Sequence, residues 1–454
     1  MPTRPPKLVV RSGAGLVVLI CLLLLLGSFL GGAPSPASAS GSAGSTIDPD
    51  SITVITTQGF YVGDHPGSRD VAELIAVRGT GTVLYHNATH QVYYDVDPVE
   101  GTRSTVEYVA ADRVGRDRCP GSNQCSRNVV ERVNLTTGRV TTVYAAITPK
   151  FDGGRWHDVD RINETHLLVA DIVYDRVMIV ATDTDEVVWQ WNASDHYPRS
   201  AGGGQQDWTH VNDVERLPDG RIMASLRNMD EVVFIGPTGE INEGWTLGND
   251  GDHSILYEQH NPDYIPGTRG GPAILLADSE NNRIIEYHRQ GDRWQAVWSW
   301  RDARLQWPRD ADRLPNGHTL VVDSHGNRVL ELDRNGSLAW QYPIGRPYDA
   351  ERLGTGDESR TGFAAGTSPT CEGSIECGAP PRAEQQPASQ ARPVIWLKDR
   401  FSGVIANSLL FVAPPWVQFT DLLVSGVLAL TLLCWGGLEW RWSAFSIRNG
   451  RNSD

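Results

Sequence analysis

Apolar and polar residues alternate along the middle of the chain in short runs: ITVITT (52–57), VNDVER (211–216), EVVFI (231–235), TLVVD (319–323), RVLEL (328–332). A period of two, carried by β-branched and aromatic residues, is the mark of half-buried strands. Turn signals such as PDG, PNG, RNG and TTG break the runs every 8–12 residues or so, and no long helical period intervenes. Aligning the turns exposes a repeat of roughly 40 residues. Copies run over 156–191, 207–247, 259–300 and 307–343, with a longer one from 93 to about 146. The fragment YDAERLG (348–354) has no strands of its own after it, and pairs naturally with the strands at 52–86. Four strands per repeat, with an end that completes the beginning, predict an all-β, six-bladed β-propeller over 49–356.

The flanks follow a different pattern. Residues 13–31 are apolar and charge-free after Arg4, Lys7 and Arg11, which fits a signal peptide or a retained transmembrane helix. Residues 416–438 are long and apolar enough to span a bilayer. Arg441, Arg448 and Arg451 follow, so the positive-inside rule puts both 1–12 and 439–454 in the cytoplasm. The expected location is then the cell membrane, with the propeller on its extracytoplasmic side. Residues 32–48 and 357–393 read as linkers, and 394–412 as an amphipathic segment at the bilayer surface.

Composition narrows the partners. The net charge is −15 and the chain has three lysines, which argues against nucleic acid. Cys119 with Cys125, and Cys371 with Cys377, form two short loops without metal-knuckle spacing and read as local disulfides. Sequons at Asn87, Asn134, Asn163, Asn192 and Asn335 are candidate glycan sites.

The innermost strand of each blade lines the axis, so equivalent positions meet there. The residue before each Asp/Asn-x-Asp/Glu signature is Tyr94, His157, Asn212, His260, Arg309 and Tyr348. His210 lies two residues before Asn212 and shares its face if both are in the strand. Arg227 ends the next strand. Most single histidines are structural, and the repeated pairs Asp160-Arg161, Glu215-Arg216 and Asp312-Arg313 read as ties between blades. Tyr94 and Tyr348 either plug the channel or bind ligand. Three histidines delivered to one locus by separate repeats read instead as a site.

The segments DWTHVNDVERL…ASLRN, WHDVDRI and EQHNPDYI…LLADSENNRIIEY resemble the three histidine-bearing blade starts of arylsulfate sulfotransferases (the arylsulfotransferase, ASST, family) over roughly 52–356. The resemblance implies a six-bladed propeller and sulfuryl transfer from an aryl sulfate to a phenolic acceptor through a sulfohistidine, with no nucleotide or other cofactor. Carried onto matching positions, His260 is the nucleophile. His157 and His210 handle protons and the departing phenolate, while Asn212 and Arg227 hold the sulfuryl oxygens. Arg309, Tyr94, Tyr348 and His253 complete the candidate substrate contacts. The partners implied are two small phenolic molecules and the lipid bilayer. Two other readings compete: a non-catalytic propeller binding a ligand, glycan or protein, and a metal or quinone enzyme using the three histidines.

Overall fold

The computed structural model describes residues 7–31, 46–62, 65–119, 124–150, 154–204, 207–367, 384–385, 392–398, 400, 403–414 and 416–450. Each repeat folds into an antiparallel four-stranded meander. Blade 1 comprises Val92–Pro98, Thr105–Val114, Cys125–Asn134 and Arg139–Pro149; blade 2 comprises Val159–Asn163, His166–Asp171, Arg176–Ala181 and Glu186–Asn192. Blade 3 runs Val211–Arg216, Ile222–Leu226, Glu231–Ile235 and Leu247–Gly248. Blade 4 runs His260–Ile265, Ala273–Asp278, Arg283–Gln290 and Arg293–Trp300, and Glu384–Gln385 adds parallel to its outer edge. Blade 5 runs Pro308–Arg313, Thr319–Asp323, Arg328–Leu332 and Leu338–Pro343. Blade 6 takes its inner strand, Pro347–Arg352, from the end of the domain, and Ile52–Thr57, Leu74–Arg78 and Val83–Asn87 from its beginning. Thr53 pairs with Arg352 and Ile55 with Ala350, closing the ring as the terminal fragment predicts.

The apolar side chains have no common centre. Their six largest clusters among the described residues are each shared by two neighbouring blades: Leu168 and Trp191 of blade 2 meet Val211 and Leu226 of blade 3, for example, and Val54 and Leu74 of blade 6 meet Tyr93 and Val106 of blade 1. Burial on both faces of every sheet explains why strands such as Ala273–Asp278 and Thr319–Asp323 are buried throughout. Charged ties cross the same seams. Arg161 of blade 2 reaches Glu107 of blade 1 at 2.7 Å, and the wholly buried Arg313 of blade 5 reaches Glu286 of blade 4 at 2.5 Å. The Arg216 N–H donates to Asp160 at 2.8 Å. Asp160, Arg161, Glu215 and Arg313 therefore tie blades together, as expected of these repeats.

Two expectations change. The linker anticipated from residue 357 starts later, because the turn Glu358–Thr361 and buried Ala364 and Ala365 pack onto the ring. Their small polar composition looks like linker, yet Ser359 and Arg360 are used up in hydrogen bonds with inner-strand carboxylates. The segment expected as one amphipathic stretch is two helices, α1 (Arg392–Lys398) and α2 (Gly403–Val412). Of the predicted disulfides, Cys119–Cys125 is formed, while Cys371 and Cys377 lie outside the described residues.

A second unit holds two apolar helices, α0 (Lys7–Gly31) before the ring and α3 (Phe419–Gly450) after it. Lys7–Leu30 and Phe419–Ser443 are long and apolar enough to cross a membrane. The helices pair antiparallel: Arg11 bridges Glu439 at 2.5 Å, and Ser28 donates to Asp421 at 2.6 Å.

Candidate active site

The inner strands bring the six aligned residues into a buried cluster. His157 stacks on Tyr94 at 4.4 Å between ring centroids, and lies 5.1 Å from His210 and 5.6 Å from Tyr348. The Arg309 guanidinium sits over Tyr348 at 4.6 Å and over Trp307 at 4.8 Å. Trp307 in turn meets the His260 ring edge-on at 6.2 Å. His253 does not join them. It is half exposed, stacked on Tyr257 at 3.6 Å and 3.3 Å from Asp230.

His210 reaches the cluster by another route than strand alternation. The strand begins at Val211, and His210 itself has φ +50°. Trp307 and Arg346, the residues immediately before the first strands of blades 5 and 6, are also left-handed, at φ +48°. A non-glycine residue there costs on the order of 1 kcal/mol. Surrounding contacts must hold each one in place. For His210 these include Asp207 at its ring, and Thr209, whose N–H and hydroxyl both donate to Asp175.

Hydrogen bonding fixes where the ring protons sit. His260 Nδ1 lies 3.1 Å from the Glu258 carbonyl, which can only accept, so Nδ1 carries the hydrogen. Ser279 Oγ, 2.8 Å away, accepts from the same nitrogen because its own proton goes to the Pro308 carbonyl at 2.7 Å. His260 Nε2 is then a bare lone pair, buried and without a hydrogen-bond partner. Burial, reinforced by the charges of Arg309 and Arg227, holds the His260 pKa well below the ordinary histidine value. His210 donates Nδ1–H to Asp207 at 2.7 Å and leaves Nε2 unpartnered. Burial and the Arg227 charge lower its pKa to about 4 despite the opposing pull of Asp207. Burial also favours the protonated Asp207, but hydrogen bonding from His210 together with the charge of Arg227 and the Asn228 contact outweighs it and leaves a carboxylate. Burial, followed by the His210 and Arg155 charges, keeps His157 neutral.

The cations are arranged unequally. Arg227 is engaged: Nε donates to Asn228 at 2.9 Å, and Asp207 and Glu258 lie 3.4 and 3.7 Å away. Arg309 is buried with no acidic partner within salt-bridge range among the described residues, and its Nε and Nη1 have no hydrogen-bond partner. An uncompensated buried guanidinium is costly unless an anion visits. Asn212 donates to the Gln259 carbonyl at 3.0 Å, and its Oδ1 is unpartnered. Together these groups offer one nucleophilic nitrogen, one carboxylate-oriented base and a positive field. That suits a compact anion whose centre can be attacked.

Sequence reasoning missed five contributors: Asp207, Ser279, the Glu258 carbonyl, and Trp307 with His325, whose rings are 4.4 Å apart. Asp207 stands in the quoted DWTH run, three residues before His210, a spacing that a strand-only reading discards.

The model of the arylsulfotransferase (ASST) family matches residues 172–345. That span includes His210, Asn212, Arg227, His260 and Arg309 but not His157, Tyr94 or Tyr348. A 113-residue stretch is 26% identical to an alpha-agarase of Thalassotalea agarivorans, covering 25% of this chain and 7% of that one. The chain thus spans a small fraction of that relative's length. Among solved structures, a protein of unknown function from Bacteroides caccae superposes with TM-score 0.46 at 11% identity, covering 67% of this chain and 99% of that one. The periplasmic gluconolactonase of Pseudomonas aeruginosa gives 0.43 at 12%, covering 67% and 99%. Virginiamycin B lyase of Staphylococcus aureus gives 0.38 at 10%, covering 66% and 87%. The family match supports membership of the chain in the arylsulfotransferase family.

Proposed function

We propose, taking membership of the arylsulfotransferase family as the premise, that this chain moves a sulfuryl group from an aryl sulfate to a phenolic acceptor through His260. The observation that carries the reading is the bare, buried Nε2 of His260 beside the uncompensated guanidinium of Arg309.

In the first half-reaction the Nε2 lone pair attacks sulfur, the N–S bond forms and the S–O(aryl) bond breaks. The donor's aromatic ring leaves as a phenolate, a tolerable leaving group because phenol has a pKa of about 10. Positive charge builds on the imidazole as Nε2 becomes bonded, and the Glu258 carbonyl and Ser279 oxygen at Nδ1–H offset it. Arg309 and Arg227 face the charge on the sulfuryl oxygens, a task of positioning and field more than of covalent chemistry. In the second half-reaction His210 Nε2 takes the proton of the acceptor phenol, whose oxygen attacks sulfur and releases neutral His260. His210 then returns that proton to the next departing phenolate, so protons balance over a cycle. Asp207 fixes the tautomer this exchange needs. Trp307 and Tyr348 flank the Arg309 cation and supply flat walls for aromatic rings.

We place the propeller on the extracytoplasmic side of the membrane. In support, the antiparallel pairing of α0 with α3 puts Lys7 and Arg11 at the same end as Glu439 and Arg441.

The test is to mix the purified full-length protein with a chromogenic phenyl sulfate in the absence of acceptor. A burst of one phenolate per chain is expected, with one SO3 added to the peptide containing His260, and His260→Asn losing both while keeping its melting temperature. Binding of the aryl sulfate with no burst and no sulfated peptide would sink the catalytic reading.

A further inference from the structure

A second set of buried groups plays no part in that chemistry. One residue beyond each aligned channel position stands Asp95, Asp158, Asp213, Asn261, Asp310 or Asp349, and two further on Asp97, Asp160, Glu215, Asp263, Asp312 or Glu351. Eleven of the twelve are acidic. Around half of the ring they are bound in place: Asp349 accepts the Val96 N–H at 2.7 Å, Asp95 that of Val159 at 3.2 Å, and Asp158 that of Val214 at 2.6 Å. Each carboxylate thereby clasps the next blade.

The first-row clasp fails in blades 3 to 5, although Glu215 in the second row still accepts the Tyr264 N–H of blade 4 at 2.9 Å. The residue Asp213 ought to hold is Pro262, which has no N–H. Asp310 loses its expected donor because the Ala350 N–H turns to Asp349 at 2.8 Å. Asp213 Oδ1 and Asp310 Oδ2 are left without a hydrogen-bond partner, and so are Asp312 Oδ2 and Glu351 Oε2, all in residues exposed by 5% or less. Charge follows the same division. Arg360 lies within 4 Å of Asp160, Glu215 and Asp357. Among the described residues no basic side chain comes that close to Asp263, Asp310, Asp312 or Glu351. Buried carboxylates without a partner are expensive, and these converge: one oxygen each from Asp263, Asp310 and Asp312 lies within 4.8 Å of the others.

We propose that the blade 4–5 side of the axial channel binds one calcium ion, ligated by Asp263, Asp310 and Asp312, with Glu351 or Asp213 completing the oxygen shell. The ion does for this half of the ring what Arg360 does for the other. Ligand type selects a hard cation. Ligand number selects calcium over magnesium: calcium takes about six to eight oxygens, several of them from carboxylates, whereas magnesium keeps most of its waters and takes one or two carboxylates. The ion is structural, so this site stands or falls separately from sulfuryl transfer.

The experiment measures bound metal and melting temperature of the full-length protein in detergent, after dialysis against calcium-free buffer and again after chelation. About one calcium per chain is expected to survive dialysis, and chelation to lower the melting temperature by several degrees, with recovery on adding CaCl2 but not MgCl2. Asp312→Asn and Asp310→Asn each lose the bound calcium and the response to it. No bound calcium in the wild type, with melting indifferent to chelator and CaCl2, overturns the proposal. So does retention of magnesium in its place, or a calcium response that survives in both variants.

Discussion

Two adjacent positions of the same repeat behave in opposite ways. At the first, the six blades carry Tyr94, His157, Asn212, His260, Arg309 and Tyr348; at the second, five aspartates and Asn261. All six residues at the first position and the five aspartates at the second are buried, so location does not separate them. What separates them is whom they serve. In blades 6, 1 and 2 the recurring aspartate accepts an N–H from the neighbouring blade, a task set by the ring geometry and therefore alike wherever the geometry is alike. The preceding residue has no such duty, and its six side chains present different chemistry to one another. Repetition within this chain marks what assembles the ring; divergence marks where a reaction can be housed.

The comparison breaks most sharply at Arg309. Replacing it with Met is expected to lower sulfuryl transfer by about 100- to 1,000-fold, the cost typical of losing a preorganised group that faces transition-state charge. The melting temperature should hold or rise, because an uncompensated buried cation has been removed. Steady-state kinetics and a thermal melt on one sample check both; a large fall in stability would make Arg309 a structural residue after all. Next in size, Asp158→Ala orphans the Val214 N–H and should destabilise the ring by about 1–3 kcal/mol, read by denaturant melting, while transfer in the surviving folded protein stays near wild type. The smallest effect is on pH. His210 must be neutral to accept the phenolic proton, and its pKa is lowered to about 4, so the base form persists above that value and is lost below it. The acidic limb of the acceptor half-reaction should therefore fall near pH 4 rather than near 6.5, the unperturbed histidine value. A limb at 6.5 would remove His210 from the role.

Much of this was legible before any coordinates. Strand period, turn spacing and the orphan YDAERLG give the blade number and the closure, because a propeller repeats one local solution and each copy restates the signal. The six channel residues follow from the same alignment. What escaped has a common cause. Asp207, Ser279 and Glu258 act from loops or through a backbone carbonyl, where no period constrains the position. His210 was found by alternation, although its left-handed backbone puts it outside the strand. The unclasped carboxylates of blades 3 and 5 looked like every other tie, because the missing N–H of Pro262 and the turning of the Ala350 N–H to Asp349 are each single-residue events. Residues 357–367 resembled a tether by composition while their backbone and Arg360 were occupied by the ring.

Blade 6 also sets a schedule. Its inner strand follows Ile52–Thr57 by roughly 300 residues, so at about 5–20 residues per second the ribosome takes about 15–60 s to supply it. Until then Ile52–Thr57 waits with one row of amides and carbonyls unmatched, an invitation to the wrong strand. The five intervening blades can build against one another in order of emergence, but the last seam cannot form until the final sheet is whole. A nascent chain stalled after blade 5 therefore carries an open edge, and its need for a chaperone ends when Pro347–Arg352 arrives.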